Sequence, residues 1–242
     1  MTQAELDSAA PDLRKEVLAM TRSSGDADQD TKLYDATRDE VTKGWLLGPL
    51  VEADLERFGP WTLSRRFGVA QGSKLRAVDD FSVSGVNGAL ATHECIDPSD
   101  VDHIAANARL HADALATPPE LRSPSSPFAR VRRHAEVEGD ALLGRVFDIA
   151  SAYKHLAVCP EHRRYSVISV FNPRSGRPEM YRQVSLPFGA AAAVIAFNWV
   201  ATALCVVLQV LFAVGATHFY DDFTVLERSA VADSVTEVIE GF

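Results

Sequence analysis

The chain has 242 residues, 47% of them apolar and 24% charged, the composition of a soluble globular protein with room for one large domain or a domain plus an appendage. A formal net charge of −9 argues against a uniformly basic nucleic-acid surface. Cys95, Cys159 and Cys205 stand too far apart in sequence for a CxxC zinc site or a disulfide framework, so a reducing, intracellular setting (cytoplasmic or nuclear) is expected. The opening "MTQAELDSAAPDLRKEVLAM" is charged and lacks an apolar core, which is not the pattern of a signal peptide.

In chain order, residues 3–20 read as a short amphipathic helix and "TRSSGDADQD" (21–30) as a polar linker. A second helix is expected over 45–58, stopped by Gly59-Pro60. "WTLSRRFGVAQGSKLRAVDDFSVSGVN" (61–87) reads as two strands, 61–70 and 74–81, joined by Gln71-Gly72-Ser73. Residues 97–115 place Val101, Ile104, Ala105, Ala108, Ala112 and Leu115 at helical spacing behind a Ser/Asp start. The basic, Pro/Ser-rich segment 116–134 reads as a loop. An apolar strand over 141–148 ends at Asp148, with a helical turn after it. "RYSVISVFN" (164–172) and "EMYRQVSLP" (179–187) read as a strand pair joined by "PRSG". A long helix follows from Gly189, then two strands around Asp221 and a closing helix within 229–242. The sum is an α+β fold with an antiparallel sheet.

Charge is unevenly spread. Residues 1–60 carry 13 acidic and 7 basic side chains, a balance of −6, whereas residues 145–189 carry 7 basic and 3 acidic ones, a balance of +4. A basic segment in an acidic chain suits either a solvated strand face or a phosphate-facing surface. The apolar run 189–216 exceeds the roughly 20 residues that span a bilayer. Asn198, Thr202 and Gln209 interrupt it, however, and no basic residue flanks it closely. A helix packed under a sheet, with Phe197, Val200, Leu204 and Leu211 inward, is therefore expected, without stable membrane association. A single-span membrane protein is the alternative.

The adjacent acids Asp221 and Asp222 lie in "THFYDDFTVL" (217–226). Alone they fit a solvated turn, which Asp favours on its own account. A third carboxylate, Asp148, ends an apolar strand. If the two strands are neighbours, their carboxylates converge, and converging carboxylates repel unless a cation lies between them. Two divalent ions held in this way support in-line displacement at phosphorus.

At this point the chain resembles the reverse transcriptases of retroelements such as retrotransposons. "FDIASAYKHLAV" (147–158) resembles their first palm motif, "SLPFGAAAAVIAFNWV" (185–200) their LPFG motif, "FYDDF" (219–223) their Asp-Asp hairpin, and "KLRAVDDFSVSGVN" (74–87) a fingers segment. The order agrees, and so does the spacing, with 41 residues from Asp148 to Gly189 and 32 from Gly189 to Asp221. The resemblance covers about residues 45–235. It implies a right-hand polymerase palm, an antiparallel sheet packed on helices, with partial fingers and no thumb. The regions would be 1–44 (helix and linker), 45–140 (fingers-like, with the insert 116–134) and 141–242 (palm-like, truncated).

The resemblance also implies roles. Asp148, Asp221 and Asp222, with the Ile149 backbone, would hold two Mg²⁺ or Mn²⁺ ions. The Ile149 and Ala150 N–H groups would face the nucleotide phosphates, and Tyr153 would lie under the sugar and exclude a 2′-hydroxyl. Lys74 and Arg76, two apart on a strand and so on one face, would grip the triphosphate. Phe188 and Gly189 would start the long helix against nucleotide or template. The implied activity is RNA-directed DNA polymerisation, adding dNTP to a primer 3′-hydroxyl on an RNA or DNA template. Little chain follows the Asp-Asp hairpin, leaving no space for later palm motifs or a thumb, and no role is assigned to 88–140. A catalytically inert fragment of this fold, serving as a nucleic-acid-binding or assembly module, is the second alternative.

Overall fold

The computed structural model describes residues 1–72, 74–90, 96, 98–116 and 141–241. The loop expected over 116–134 and Cys95 lie outside the described residues, apart from Ala116. In chain order the elements are α1 (Gln3–Met20), α2 (Ala27–Thr42), β1 (Leu46–Leu50), α3 (Glu52–Glu56), β2 (Leu63–Gln71), β3 (Lys74–Asp80), α4 (Val86–Ala89) and α5 (Val101–Ala116). There follow β4 (Leu142–Asp148), short 3-10 helices at Ala152–His155 and Pro160–Tyr165, β5 (Val167–Asn172), β6 (Arg177–Gln183), α6 (Ala191–Phe212), β7 (Gly215–Phe219), β8 (Asp222–Arg228) and α7 (Ala232–Glu240). The fold is α+β. Contacts group the chain into two interleaved units, which differ from a linear division at 44 and 140. Unit 1 is Met1–Cys95 with Ser151–Ile195, and unit 2 is Ile96–Ala150 with Ala196–Phe242.

Unit 1 is built on a five-stranded sheet of order β1-β6-β5-β2-β3. The sheet is mixed, contrary to the antiparallel expectation, because β2 and β5 run parallel with Leu63 opposite Val167. Central β5 is buried on both faces, with Val167, Ile168, Ser169 and Val170 all buried. On one face Ile168, Val170, Leu46 and Tyr181 pack against Leu33 and Tyr34 of α2. On the other, Val167, Leu63 and Trp61 pack against Val17 of α1 and Leu55 of α3.

Two expectations fail in this unit. The linker at 21–30 ends at Asp26, whose carboxylate accepts from the N–H groups of Asp28 and Gln29 and so starts α2. The helix expected over 45–58 is instead strand β1 followed by one turn of helix, α3. Gly48 and Pro49 break helical continuity there, and Pro is tolerated because β1 is an edge strand. The expected hairpins at 61–81 and 164–187 form as β2–β3 and β5–β6.

Unit 1 also accounts for the charge asymmetry. Acids of the N-terminal segment meet bases of the 145–189 segment: Glu40 with Lys154 at 3.1 Å, Asp35 with Arg174 at 3.2 Å and Asp7 with Arg164 at 3.8 Å. Part of the basic segment thus faces protein carboxylates.

Unit 2 holds a three-stranded antiparallel sheet of order β4-β8-β7. Helix α6 has its first residues in unit 1 and continues through unit 2 from Ala196. Phe197, Ala201, Cys205 and Leu208 form its buried stripe at helical spacing. Val200 and Leu204 are half-buried, and Leu211, expected inward, is 60% exposed together with Trp199 and Val210. These residues leave the stripe because a sheet covers only one side of a helix. By length and composition the helix is apolar enough to cross a membrane, with a mean hydropathy of 2.2. On α5, Ile104, Ala105 and Ala108 are half-buried and His111 is buried, while Val101 and Ala112, expected on the apolar stripe, are exposed.

Candidate functional site

The carboxylates come together at one end of the unit 2 sheet. The β4–β8 ladder runs from Leu142 opposite Arg228 to Asp148 opposite Asp222. In the β7–β8 hairpin Phe219 pairs with Asp222, which leaves Tyr220 and Asp221 as a two-residue turn. Opposed residues of a ladder project from the same face. Asp148 and Asp222 therefore share a face, and the next pair, Phe147 and Phe223, takes the other. Phe223 is buried, whereas Asp148 and Asp222 are exposed and Asp221 is half-exposed. Ile149 and Ala150 follow directly where β4 ends. Among the described residues no three His, Cys, Asp or Glu side chains are grouped closely enough to hold a metal ion in this conformation.

The hairpin tip is held from below. Tyr220 adopts a left-handed backbone with φ 54°, roughly 1–2 kcal/mol above the right-handed region for a non-glycine residue. His218 Nδ1 lies 3.2 Å from the Tyr220 carbonyl, and its Nε2 lies 3.1 Å from the Thr202 hydroxyl. A carbonyl only accepts, so Nδ1 carries the proton and Nε2 accepts from Thr202. Burial keeps this imidazole below its ordinary pKa, a shift partly opposed by the Tyr220 hydrogen bond. The sequence reading did not single out His218. Its signal was a polar residue at the position of β7 that shares a face with the inward-facing Ala216.

The other expected site residues lie in unit 1. Lys74 and Arg76 are both exposed on one face of β3, with Leu75 and Ala77 on the other. Gly189 has φ +107°, and a Cβ there would lie 2.3 Å from the Asp79 carbonyl oxygen, so the LPFG turn presses on the end of β3 in a way that only glycine permits. Asn87 fastens this turn. Its Nδ2 donates to the Gly189 carbonyl at 3.1 Å, and its Oδ1 accepts from the Ala191 N–H at 2.9 Å. Phe188 is exposed, and its ring meets Tyr153 edge-on at 6.0 Å. Tyr153 is half-buried and packs beside Phe81, Ala190 and Ala193.

Beneath β3 lies a buried charge network. Arg66 grips Asp79 through two bonds, 2.7 and 3.0 Å. It also donates to Glu40 at 3.2 Å and to the Thr37 hydroxyl at 3.3 Å. Gln183 donates to Asp79 at 2.8 Å. Burial works against the Arg66 charge, but Asp79 and Glu40 outweigh it and hold the guanidinium above its ordinary pKa. Glu40 also joins Lys154, the neighbour of Tyr153. Thus Lys74, Arg76, Gly189, Tyr153 and Phe188 belong to one unit, and Asp148, Ile149, Ala150, Asp221 and Asp222 to the other.

No protein-family model matches the chain, and no curated protein matches it.

Proposed function

We propose that the chain carries the palm and fingers of a reverse-transcriptase-like nucleotidyltransferase, which adds deoxynucleotides to a primer 3′-hydroxyl on a nucleic-acid template. The observation that carries this reading is the register of Asp148 opposite Asp222, with Asp221 at the adjoining hairpin tip. Antiparallel strands seldom set two exposed carboxylates directly opposite each other, since opposed like charges destabilise the ladder. Hard oxygen donors of this type fit Mg²⁺ or Mn²⁺. Asp148, Asp221 and Asp222, with the Ile149 carbonyl, are the groups that would hold two such ions. The chemistry these ions supply when bound is activation of the attacking hydroxyl and neutralisation of charge on the leaving pyrophosphate.

By the resemblance the remaining residues would position the reactants, Lys74, Arg76, Tyr153 and Phe188 in unit 1 and Ile149 and Ala150 in unit 2. Lys74 and Arg76 present two cations on one strand face, Arg suited to bidentate phosphate contact and Lys to a point charge. The N–H groups of Ile149 and Ala150 are donors beside the carboxylates. Tyr153 supplies a ring for the sugar to rest on, steadied by Phe188. Holding reactants in line and matching charge supply most of the rate in such transfers.

The test is primer extension by the purified chain on RNA and DNA templates with Mg²⁺ or Mn²⁺. Metal-dependent dNTP incorporation that disappears in Asp148→Asn and in Asp221→Asn is expected. Incorporation that survives in either variant rejects the assignment.

A further inference from the structure

The sheet of unit 1 opens at one point. Strands β2 and β5 run parallel and pair only from Leu63 opposite Val167 to Arg65 opposite Ser169. Beyond that register each follows its own hairpin partner, β2 bonded to β3 as far as Gln71 and β5 to β6 as far as Asn172. A cavity of about 250 Å³ lies there, lined by β2 from Arg65 to Gly68, by Phe171 of β5, by residues 20–24 and by the first two turns of α2. Crevices past the carboxyl ends of parallel strands, with mixed apolar and polar walls, are common seats for small ligands. The lining combines apolar side chains with positive charge. Leu33, Phe67 and Phe171 supply the apolar part, and three arginines stand against one carboxylate, Asp30. Asp30 is occupied by the linker itself, accepting from the Ser23 hydroxyl at 2.5 Å and from the Ser24 N–H at 3.0 Å. Arg66 is held by Asp79 and Glu40. Arg22 and Arg65 form no ion pair among the described residues. Half-buried Arg65 spends one N–H on the Met20 carbonyl at 3.5 Å, and its guanidinium lies 5.0 Å from the Phe67 ring centroid. Most of its donor fork is therefore uncommitted, beside two aromatic rings.

We infer that this cavity is a binding site for a small aromatic anion, its ring against Phe67 and Phe171 and its anionic group on Arg65, with the exposed Arg22 adding a second positive charge. None of these residues is among those assigned to nucleotide addition. The rings gain by taking a flat apolar body out of water, and a planar guanidinium fork matches two oxygens of a carboxylate or phosphate. Contact with the Phe67 ring restrains the Arg65 guanidinium, so less freedom is lost when the anion docks. The volume, just below the roughly 300–1,000 Å³ of pockets that take drug-sized molecules, limits the occupant to a compact one. Carboxylate and phosphate share the required chemistry, and the two probes below separate them.

Purified full-length chain is titrated with benzoate, with phenyl phosphate and with uncharged benzyl alcohol, binding being read from saturation-transfer NMR of each probe. Arg65→Gln, Arg22→Gln and the control Arg57→Gln, an exposed arginine at the end of α3, are treated alike. Wild type is expected to bind benzoate or phenyl phosphate more tightly than benzyl alcohol, and the tighter of the two anions names the group that the site takes. Arg65→Gln should weaken the binding of that anion by on the order of tenfold and leave benzyl alcohol unchanged, while Arg57→Gln alters neither. Arg22→Gln, a change at an exposed side chain, should show a smaller loss in the same direction and decides the question if Arg65→Gln folds poorly. Binding of neither anion, benzyl alcohol bound as tightly as both anions, equal anion affinity in wild type and Arg65→Gln, or the same loss in Arg57→Gln overturns the inference.

Discussion

Asp148 stands directly across the β4–β8 ladder from Asp222, two exposed carboxylates in register at the end of the sheet. With no cation present the pair destabilises its own ladder. Asp222→Asn and Asp148→Asn should therefore each raise the stability of the metal-free chain, by on the order of 0.5 kcal/mol or less given solvent screening. Asp221→Asn, in the turn and outside the ladder, should do less. Adding Mn²⁺ should stabilise wild type more than any of the three. Thermal melts with and without Mn²⁺ decide the matter: equal shifts in all four proteins would mean that these carboxylates do not bind the ion.

Gly189 allows a sharper forecast. A Cβ at this position meets the Asp79 carbonyl at 2.3 Å, and the residue holds φ +107°. Gly189→Ala should cost about 2 kcal/mol or more, because strain and backbone displacement add together. Urea unfolding measures it, and a loss below about 0.5 kcal/mol, within the range of ordinary surface changes, would refute the close approach.

The Arg66–Asp79 pair should respond asymmetrically. Asp79→Leu alone leaves Arg66 buried with Glu40 as its remaining carboxylate, and a broken buried pair typically costs about 3–5 kcal/mol. Arg66→Met combined with Asp79→Leu should recover much of that loss. A double-mutant cycle in urea tests this, and additive losses would argue against a coupled pair.

His218 sets a pH dependence. Its folded pKa lies below the ordinary 6.5 because of burial, so the unfolded chain binds a proton that the folded one refuses. The stability this contributes is complete above the unfolded value, falls as the pH drops below about 6.5, and levels off beneath the folded pKa. Buried His111 acts in the same direction, and Glu227, pushed up by burial, opposes both as acid is added. His218→Gln should therefore lose less stability than wild type between about pH 7.5 and pH 5.5, as measured by denaturant midpoints. Parallel profiles for the two proteins would exclude this role for His218.

Much of this architecture was legible in the sequence. The strands of β2–β3, β5–β6 and β7–β8 announced themselves by alternation and turn residues, and Asp148 was readable as a strand end because an apolar run stops there. Helix α2 was hidden, because only Leu33, Tyr34 and Val41 mark its apolar face and its Asp-rich start mimics a linker. The parallel β2–β5 pairing joins strands about a hundred residues apart, a long-range match that no local signal records. The Asn87 clamp on Gly189 was concealed for the same reason, since its two ends lie 102 residues apart. Of the candidate site, the carboxylates were visible as residue types. Their register, Asp148 opposite Asp222, belongs to the β4–β8 ladder between strands distant in sequence, which no local signal records.

The docking of α1 and α2 bears on how such a chain is inherited. Val17, Leu33 and Tyr34 are walls of the two cores of unit 1, and Glu40 anchors both Arg66 and Lys154. The stretch before residue 45 is thus not a detachable leader that recombination can trade for another while the strands behind it stay folded. A rearrangement that severs the gene there would bare the sheet on both faces, take Lys154's carboxylate away and leave Arg66 with Asp79 alone. Lineages carrying this sheet should retain both helices or replace them with something of equal shape and opposite charge.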